Sequence, residues 1–144
     1  MKCVFTNGVF DILHVGHIRL LEYAKSFGDL LIVGINSDDS TRRLKGNTRP
    51  IQNEKDRYEI LSALEAIDRV IIFEEDTPEI LIKYFRPEVL IKGPEEKEKI
   101  IPGADFVKSY GGEIIIPDWE LTHSTTKIIN KIRLLNRKQP CKSQ

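Results

Sequence analysis

The sequence predicts an α/β fold: a Rossmann-like, doubly wound parallel sheet of five strands with helices on both faces. Three observations carry that expectation. Short apolar runs alternate with helix-spaced apolar residues along nearly the whole chain. The first run is broken by Asn7-Gly8, and two histidines flank a glycine, His14-Val15-Gly16-His17, where the next helix should begin. The length of 144 residues, with 40% hydrophobic and 31% charged residues, suits one globular domain with a real core.

The elements follow in order. Lys2 to Thr6 reads as the first strand, and a helix from about Val15 to Phe27 places Ile18, Leu21, Ala24 and Phe27 on one face. Leu30 to Ile35 is a second strand, apolar on both faces as burial between two helical layers requires. Ile60, Leu61, Leu64 and Ile67 recur at helical spacing before a third strand, Arg69 to Phe73. Thr77-Pro78-Glu79 opens a further helix, because the fixed φ of proline suits a first turn. Glu88 to Lys92 and Glu113 to Pro117 are the fourth and fifth strands. Ile128, Ile129, Ile132 and Leu135 mark a closing helix capped by Ser124 or Thr125. Right-handed crossovers then wind the chain as one domain over residues 1–137, with a polar tail at 138–144. Two connections exceed what the fold needs, Asn36 to Asn53 and Gly93 to Gly103, and such loops are often binding lids.

Charge and composition exclude several classes. Lys plus Arg and Asp plus Glu both count 22, and a zero net charge argues against non-specific nucleic-acid binding. No apolar run approaches the ~20 residues of a membrane span, and a strand at the very start leaves no room for a signal peptide. Cys3 in a strand and Cys141 in the polar tail make a poor disulfide pair, so a cytoplasmic protein is expected.

Neither a Gly-x-Gly-x-x-Gly turn nor a Gly-x-x-x-x-Gly-Lys-Ser/Thr loop occurs, which weakens a nicotinamide dehydrogenase and a P-loop enzyme alike. Instead a helix start, with its free N–H groups and partial positive charge, is supplemented by two imidazole donors. That equipment suits a polyphosphate. If the sheet reverses order between strands one and four, the tips at Thr6 and Lys92 flank the crevice where such folds bind ligands. The bland readings are that the histidines are zinc ligands or helix caps, but no Cys or carboxylate cluster completes a zinc site. Ser124-Thr125 could merely cap a helix, Lys45 could belong to a solvated basic run, and Arg57 could sit on a helix surface. Asp38 and Asp39 read as caps of a short helical turn, and Trp119 as core or pocket wall.

Thr6-Asn7-Gly8-Val9-Phe10-Asp11-Ile12-Leu13-His14-Val15-Gly16-His17 resembles the first motif of the cytidylyltransferase-like nucleotidyltransferases, and Ser124-Thr125-Thr126-Lys127-Ile128-Ile129 resembles their second. Between them, Asn36-Ser37-Asp38, Arg42 to Pro50, and Phe73 to Pro78 are similar to one branch, the adenylyltransferase domain of bacterial ADP-heptose synthases, which is expected here as a free-standing domain without the usual kinase partner. The resemblance covers residues 3 to 133. Two stretches depart from the related patterns. That branch follows its fourth strand with Lys-Gly-Gly-Asp, whereas this chain has Lys92-Gly93-Pro94-Glu95, which puts the base or acceptor pocket in question. Glycerol-phosphate cytidylyltransferases carry an arginine where this chain has Trp119-Glu120-Leu121-Thr122-His123.

The resemblance implies transfer of AMP from ATP to a sugar 1-phosphate, foremost heptose 1-phosphate, with release of pyrophosphate. Attack is direct and in line, so catalysis rests on positioning and electrostatics. It implies His14, His17 and Lys45 as catalytic groups, with Lys45 closing over the phosphates on a mobile loop. Nucleotide contacts are expected from Thr6, Asn7, Gly8 and Phe10, from Lys92 and Gly93, and from His123, Ser124 and Thr125, besides the two histidines. Acceptor contacts are expected from Asp11, Lys45 and Arg57, although Asp11 could instead fix the turn or orient a histidine. Mg2+ is expected to arrive with the triphosphate, with no protein side chain assigned to it. A homodimer is expected by the same analogy. The rivals are a cytidylyltransferase using CTP on a phospho-alcohol and a nucleotide-binding module without turnover.

Overall fold

A computed structural model describes residues 1–138, the side chain of Lys138 excepted. Apart from Lys138, the expected polar tail and its Cys141 lie outside the described residues. Five strands, β1 (Cys3–Gly8), β2 (Leu30–Asn36), β3 (Arg69–Phe73), β4 (Val89–Ile91) and β5 (Glu113–Ile115), form one parallel sheet in the order β3-β2-β1-β4-β5. The chain winds outward from β1 to β3, then returns to the other side of β1. The order therefore reverses between β1 and β4, which meets the condition set in the sequence reading, and folds of this kind bind ligands in the crevice at those carboxyl ends.

Strand alternation divides the core in two. Val4, Leu31, Val33, Ile35, Val89 and Ile91 face one side, where they pack with Leu21 and Ala24 of α1 (Val15–Lys25) and Leu61 of α3 (Glu54–Ser62). Phe5, Ile32 and Leu90 face the other, against Ile82 of α4 (Glu79–Phe85) and Val107 of α5 (Ala104–Ser109). Each central strand is thus covered on both faces, which explains its uninterrupted apolar run.

Four local expectations are corrected. The stretch from Asn36 to Asn53 is not all loop, because α2 (Asp38–Lys45) lies within it. Ser37 caps α2 through the Ser40 N–H, acidic residues fill its first turn and Arg42, Arg43 and Lys45 its last. It buries Ser40 and Thr41 instead of an apolar stripe, so hydrophobic periodicity gave no signal. The short α5 was also not foreseen. In the second helical pattern, Leu64 and Ile67 fall in the turn beyond α3 and Ile60 is exposed. Gly93 to Gly103 is partly a 3-10 turn at Pro94–Glu96.

The last helix, α6 (Thr125–Lys138), stands apart from the layers: Ile132 and Leu135 are 55% and 52% exposed. Its charged residues are Lys127, Lys131, Arg133, Arg137 and Lys138, with no acidic residue among them.

Candidate active site

Everything in the candidate site hangs on the turn between β1 and α1. Phe10 and Ile12 are both in the left-handed region, at φ 54° and 48°. Such backbone costs a non-glycine residue about 1–3 kcal/mol and is especially unusual for a β-branched one. The surroundings hold it. Both Asp11 carboxylate oxygens accept backbone N–H groups, from Ile51 at 2.7 Å and Gln52 at 2.9 Å. The Ile12 N–H donates to Gln52 Oε1 at 3.0 Å.

His14 then caps α1. Its Nδ1 accepts the Gly16 N–H at 3.1 Å, and His17 Nδ1 accepts the His14 N–H at 3.2 Å. This is a capping box built from two histidines. Each Nδ1 is an acceptor, so each neutral ring carries its proton on Nε2, which is left as a donor. The rings stack with centroids 3.7 Å apart, and Phe10 lies 5.2 Å from the His17 ring. The fit at Gly16 is tight: a Cβ there would stand 3.0 Å from the His14 ring and 3.3 Å from His123 Cβ, so those side chains would have to shift by a few tenths of an ångström. Burial, with His14 as neighbour, pushes the His17 pKa down to about 3. The His14 pKa is lowered by burial and by His123. Both rings are neutral donors at physiological pH.

The histidines open into a cavity of roughly 1140 Å³ at the carboxyl ends of β1 and β4. From β1 and its turn come Asn7, Gly8, Phe10 and Asp11; from β4 and the loop after it come Lys92, Gly93 and Glu95. Lys92 Nζ is buried and donates to Asn7 Oδ1 at 2.6 Å, joining the two strand tips, and burial lowers its pKa. Lys45, the last residue of α2, and Arg49 also line the cavity. His123, Ser124 and Thr125 form the wall at the head of α6. The cap of α6 is Ser124, whose Oγ accepts the Lys127 N–H at 3.0 Å, while Thr125 Oγ1 donates to the Asp11 carbonyl.

Two expected contacts are not brought to this cavity. Thr6 is fully buried, and its hydroxyl donates to the Ile91 carbonyl at 2.8 Å, tying β1 to β4. Arg57 is also fully buried. Its guanidinium donates to the carbonyls of Gln52, Val9 and Asn36 and to Asp38 Oδ1, all within 2.9 Å. Four of its five N–H donors are engaged in this way and the side chain does not line the cavity, so Arg57 holds the scaffold instead. Asp11 lines the cavity, but its carboxylate is committed to the Ile51 and Gln52 N–H groups, the turn-fixing alternative. Sequence reasoning passed over Arg49, which reaches Thr126 Oγ1 at 3.2 Å across the cavity mouth. Its signal was the basic run before Pro50. Among the described residues, no group of three or more His, Cys, Asp or Glu could hold a metal ion.

A parallel sheet with a switch-point crevice, two histidines at the start of the first helix and cations lining the same cavity accord with a nucleotidyltransferase fold. The chain belongs to the cytidylyltransferase-like family, whose model matches residues 5–142. It is 52% identical over 131 residues to the bifunctional protein HldE of Geobacter metallireducens, and 54% identical over 129 residues to that of Hyphomonas neptunium. These matches cover 91% and 90% of this chain but 27% and 26% of the relatives, so the chain spans about a quarter of their length. Among solved structures, it matches a lipopolysaccharide core biosynthesis protein from Thermoplasma volcanium with TM-score 0.65 and 32% identity, over 81% of this chain and 93% of that one. The pantoate-beta-alanine ligase of Francisella tularensis shares the fold at TM-score 0.58 and 20% identity, over 99% of this chain and 74% of that one.

Proposed function

We propose that this protein is an adenylyltransferase that transfers AMP from ATP to a sugar 1-phosphate, foremost heptose 1-phosphate, releasing pyrophosphate. The observation that carries the reading is the stacked His14–His17 pair, each ring with Nε2–H as its remaining donor, lining a cavity together with Lys45, Arg49 and Lys92. The choice of ATP and heptose 1-phosphate rests on the motif resemblance and is supported by the identity to the HldE proteins.

The acceptor phosphate oxygen attacks the α-phosphorus in line, and the bond to the bridging oxygen of pyrophosphate breaks. His14 and His17 donate through Nε2 to the α-phosphate and that bridging oxygen, where charge grows in the transition state. Lys45 lies between acceptor phosphate and α-phosphate and offsets their repulsion. Asn7 and Gly8 allow the backbone close to the nucleotide, while Lys92, Gly93 and His123 border the nucleoside. Ser124, Thr125 and the head of α6 receive the leaving phosphates. Mg2+ enters as part of the triphosphate substrate and neutralises the departing charge. The protein acts as a homodimer in the cytoplasm, and exposed Ile132 and Leu135 on α6 are available to a second copy.

The test is pyrophosphate release with Mg2+, crossing ATP, CTP, GTP and UTP against heptose 1-phosphate, other sugar 1-phosphates and glycerol 3-phosphate. ATP-selective turnover with heptose 1-phosphate is expected. CTP-selective turnover with a phospho-alcohol would overturn the substrate assignment, and nucleotide binding without turnover on any acceptor would overturn the enzyme.

A further inference from the structure

Gln52 does not line the cavity, yet it makes two hydrogen bonds to the turn that carries the histidines. Its side-chain Oε1 accepts the Ile12 N–H at 3.0 Å, its own N–H donates to Asp11 Oδ1 at 2.9 Å, and its carbonyl accepts Arg57 Nε at 2.9 Å. Arg57 continues the connection to the Val9 carbonyl at 2.9 Å, on the other side of the turn. Residues 51–57 therefore grip both ends of the segment in which Phe10 and Ile12 take left-handed backbone. A strained turn persists only where its neighbours over-determine it.

The same grip reaches the other catalytic element. Arg57 donates to the Asn36 carbonyl at 2.7 Å and to Asp38 Oδ1 at 2.9 Å, and Glu54 Oε1 accepts the Asp38 N–H at 3.0 Å. These contacts seat the start of α2, whose last residue is Lys45. One short segment thus fixes the imidazole pair and the lysine helix against each other.

We propose that Gln52 is a positioning residue: it holds the Phe10–Ile12 turn so that the His14 and His17 donors meet the reacting phosphate at catalytic distance. It acts through the backbone and touches no substrate. The proposal rests on the adenylyltransferase reading for its kinetic consequence, but its structural content can be tested independently.

The experiment compares wild type, Gln52→Met, which keeps length and loses the acceptor, and Gln52→Glu, which keeps an oxygen for the Ile12 N–H. Two readouts are taken: turnover with ATP and heptose 1-phosphate, and 15N NMR of Ile12 amide exchange and the His17 ring nitrogens. A displacement on the ångström scale costs about 10²-fold in rate. Gln52→Met should therefore lose about that factor in kcat, with KM for ATP changed less than about threefold. Its Ile12 amide should exchange faster and its His17 nitrogens shift, and Gln52→Glu should restore most of both. Unchanged Ile12 exchange and His17 signals in Gln52→Met would overturn the proposal, as would full turnover or a loss confined to KM. If wild type turns over no acceptor, the substrate reading has failed, and the NMR comparison alone decides whether Gln52 holds the turn.

Discussion

His17 has a double commitment, since its Nδ1 closes the start of α1 and the residue also lines the cavity. His17→Ala should lower kcat by about 10²–10³ while changing ATP affinity less than about threefold, because the donor matters most where charge develops. Single-turnover rates beside equilibrium nucleotide binding separate the two. The depressed pKa has its own signature. An unfolded imidazole titrates near 6.5, whereas in the fold His17 holds out to about 3. Between those values the unfolded chain binds a proton that the folded chain refuses. The contribution is therefore full above pH 6.5 and is lost as pH falls toward 3, at up to about 1.4 kcal/mol per pH unit. Urea unfolding from pH 7 to pH 4 should reveal this slope, and His17→Gln should flatten it. The histidine motif at the start of α1 could be seen in the sequence. The tautomers could not, because they depend on which backbone N–H each ring nitrogen meets.

At the scale of elements, the difference between reading and structure falls where polar contacts replace apolar ones. The strands and α1 announce themselves by apolar pattern. α2 does not, for it seats itself through Ser37, the buried hydroxyls of Ser40 and Thr41, and the Asp38–Arg57 pair. Arg57 looked like a surface or phosphate-binding arginine because nothing in its neighbours on the chain betrays burial; its partners lie up to 48 residues away in sequence. Arg57→Met would leave Asp38 and three carbonyls without their donor. A buried pair broken from one side costs about 3–5 kcal/mol. Guanidinium unfolding should register a loss of that size, and amide exchange should quicken first in α2 and in the turn before α1. A variant as stable as wild type would show that water replaces the guanidinium freely.

For the whole molecule, the parallel, doubly wound sheet followed from alternation and handedness, whereas the reversal between β1 and β4 entered the reading only as a condition and is supplied by the fold. The position of α6 did not follow either, because Ile128, Ile129, Ile132 and Leu135 look like core in sequence whether they meet this chain or another. If α6 seats a second copy, changing both Ile132 and Leu135 to Glu should convert dimer to monomer in sedimentation velocity, with the thermal midpoint of the monomer unchanged. A wild type that sediments as a monomer at all concentrations would remove the dimer from the proposal.

All 22 acidic residues precede residue 125, while the segment from 125 onward carries six basic residues and none acidic. Formal neutrality therefore conceals a large permanent electric dipole along the direction of α6. In dilute buffer the protein should bind both anion and cation exchangers near its isoelectric pH, each through a different end. Its second virial coefficient should be negative there and rise as salt shortens the Debye length. Solubility would then be set by how the two poles line up between neighbouring molecules, and a few tens of millimolar salt should matter more to it than a shift of one pH unit.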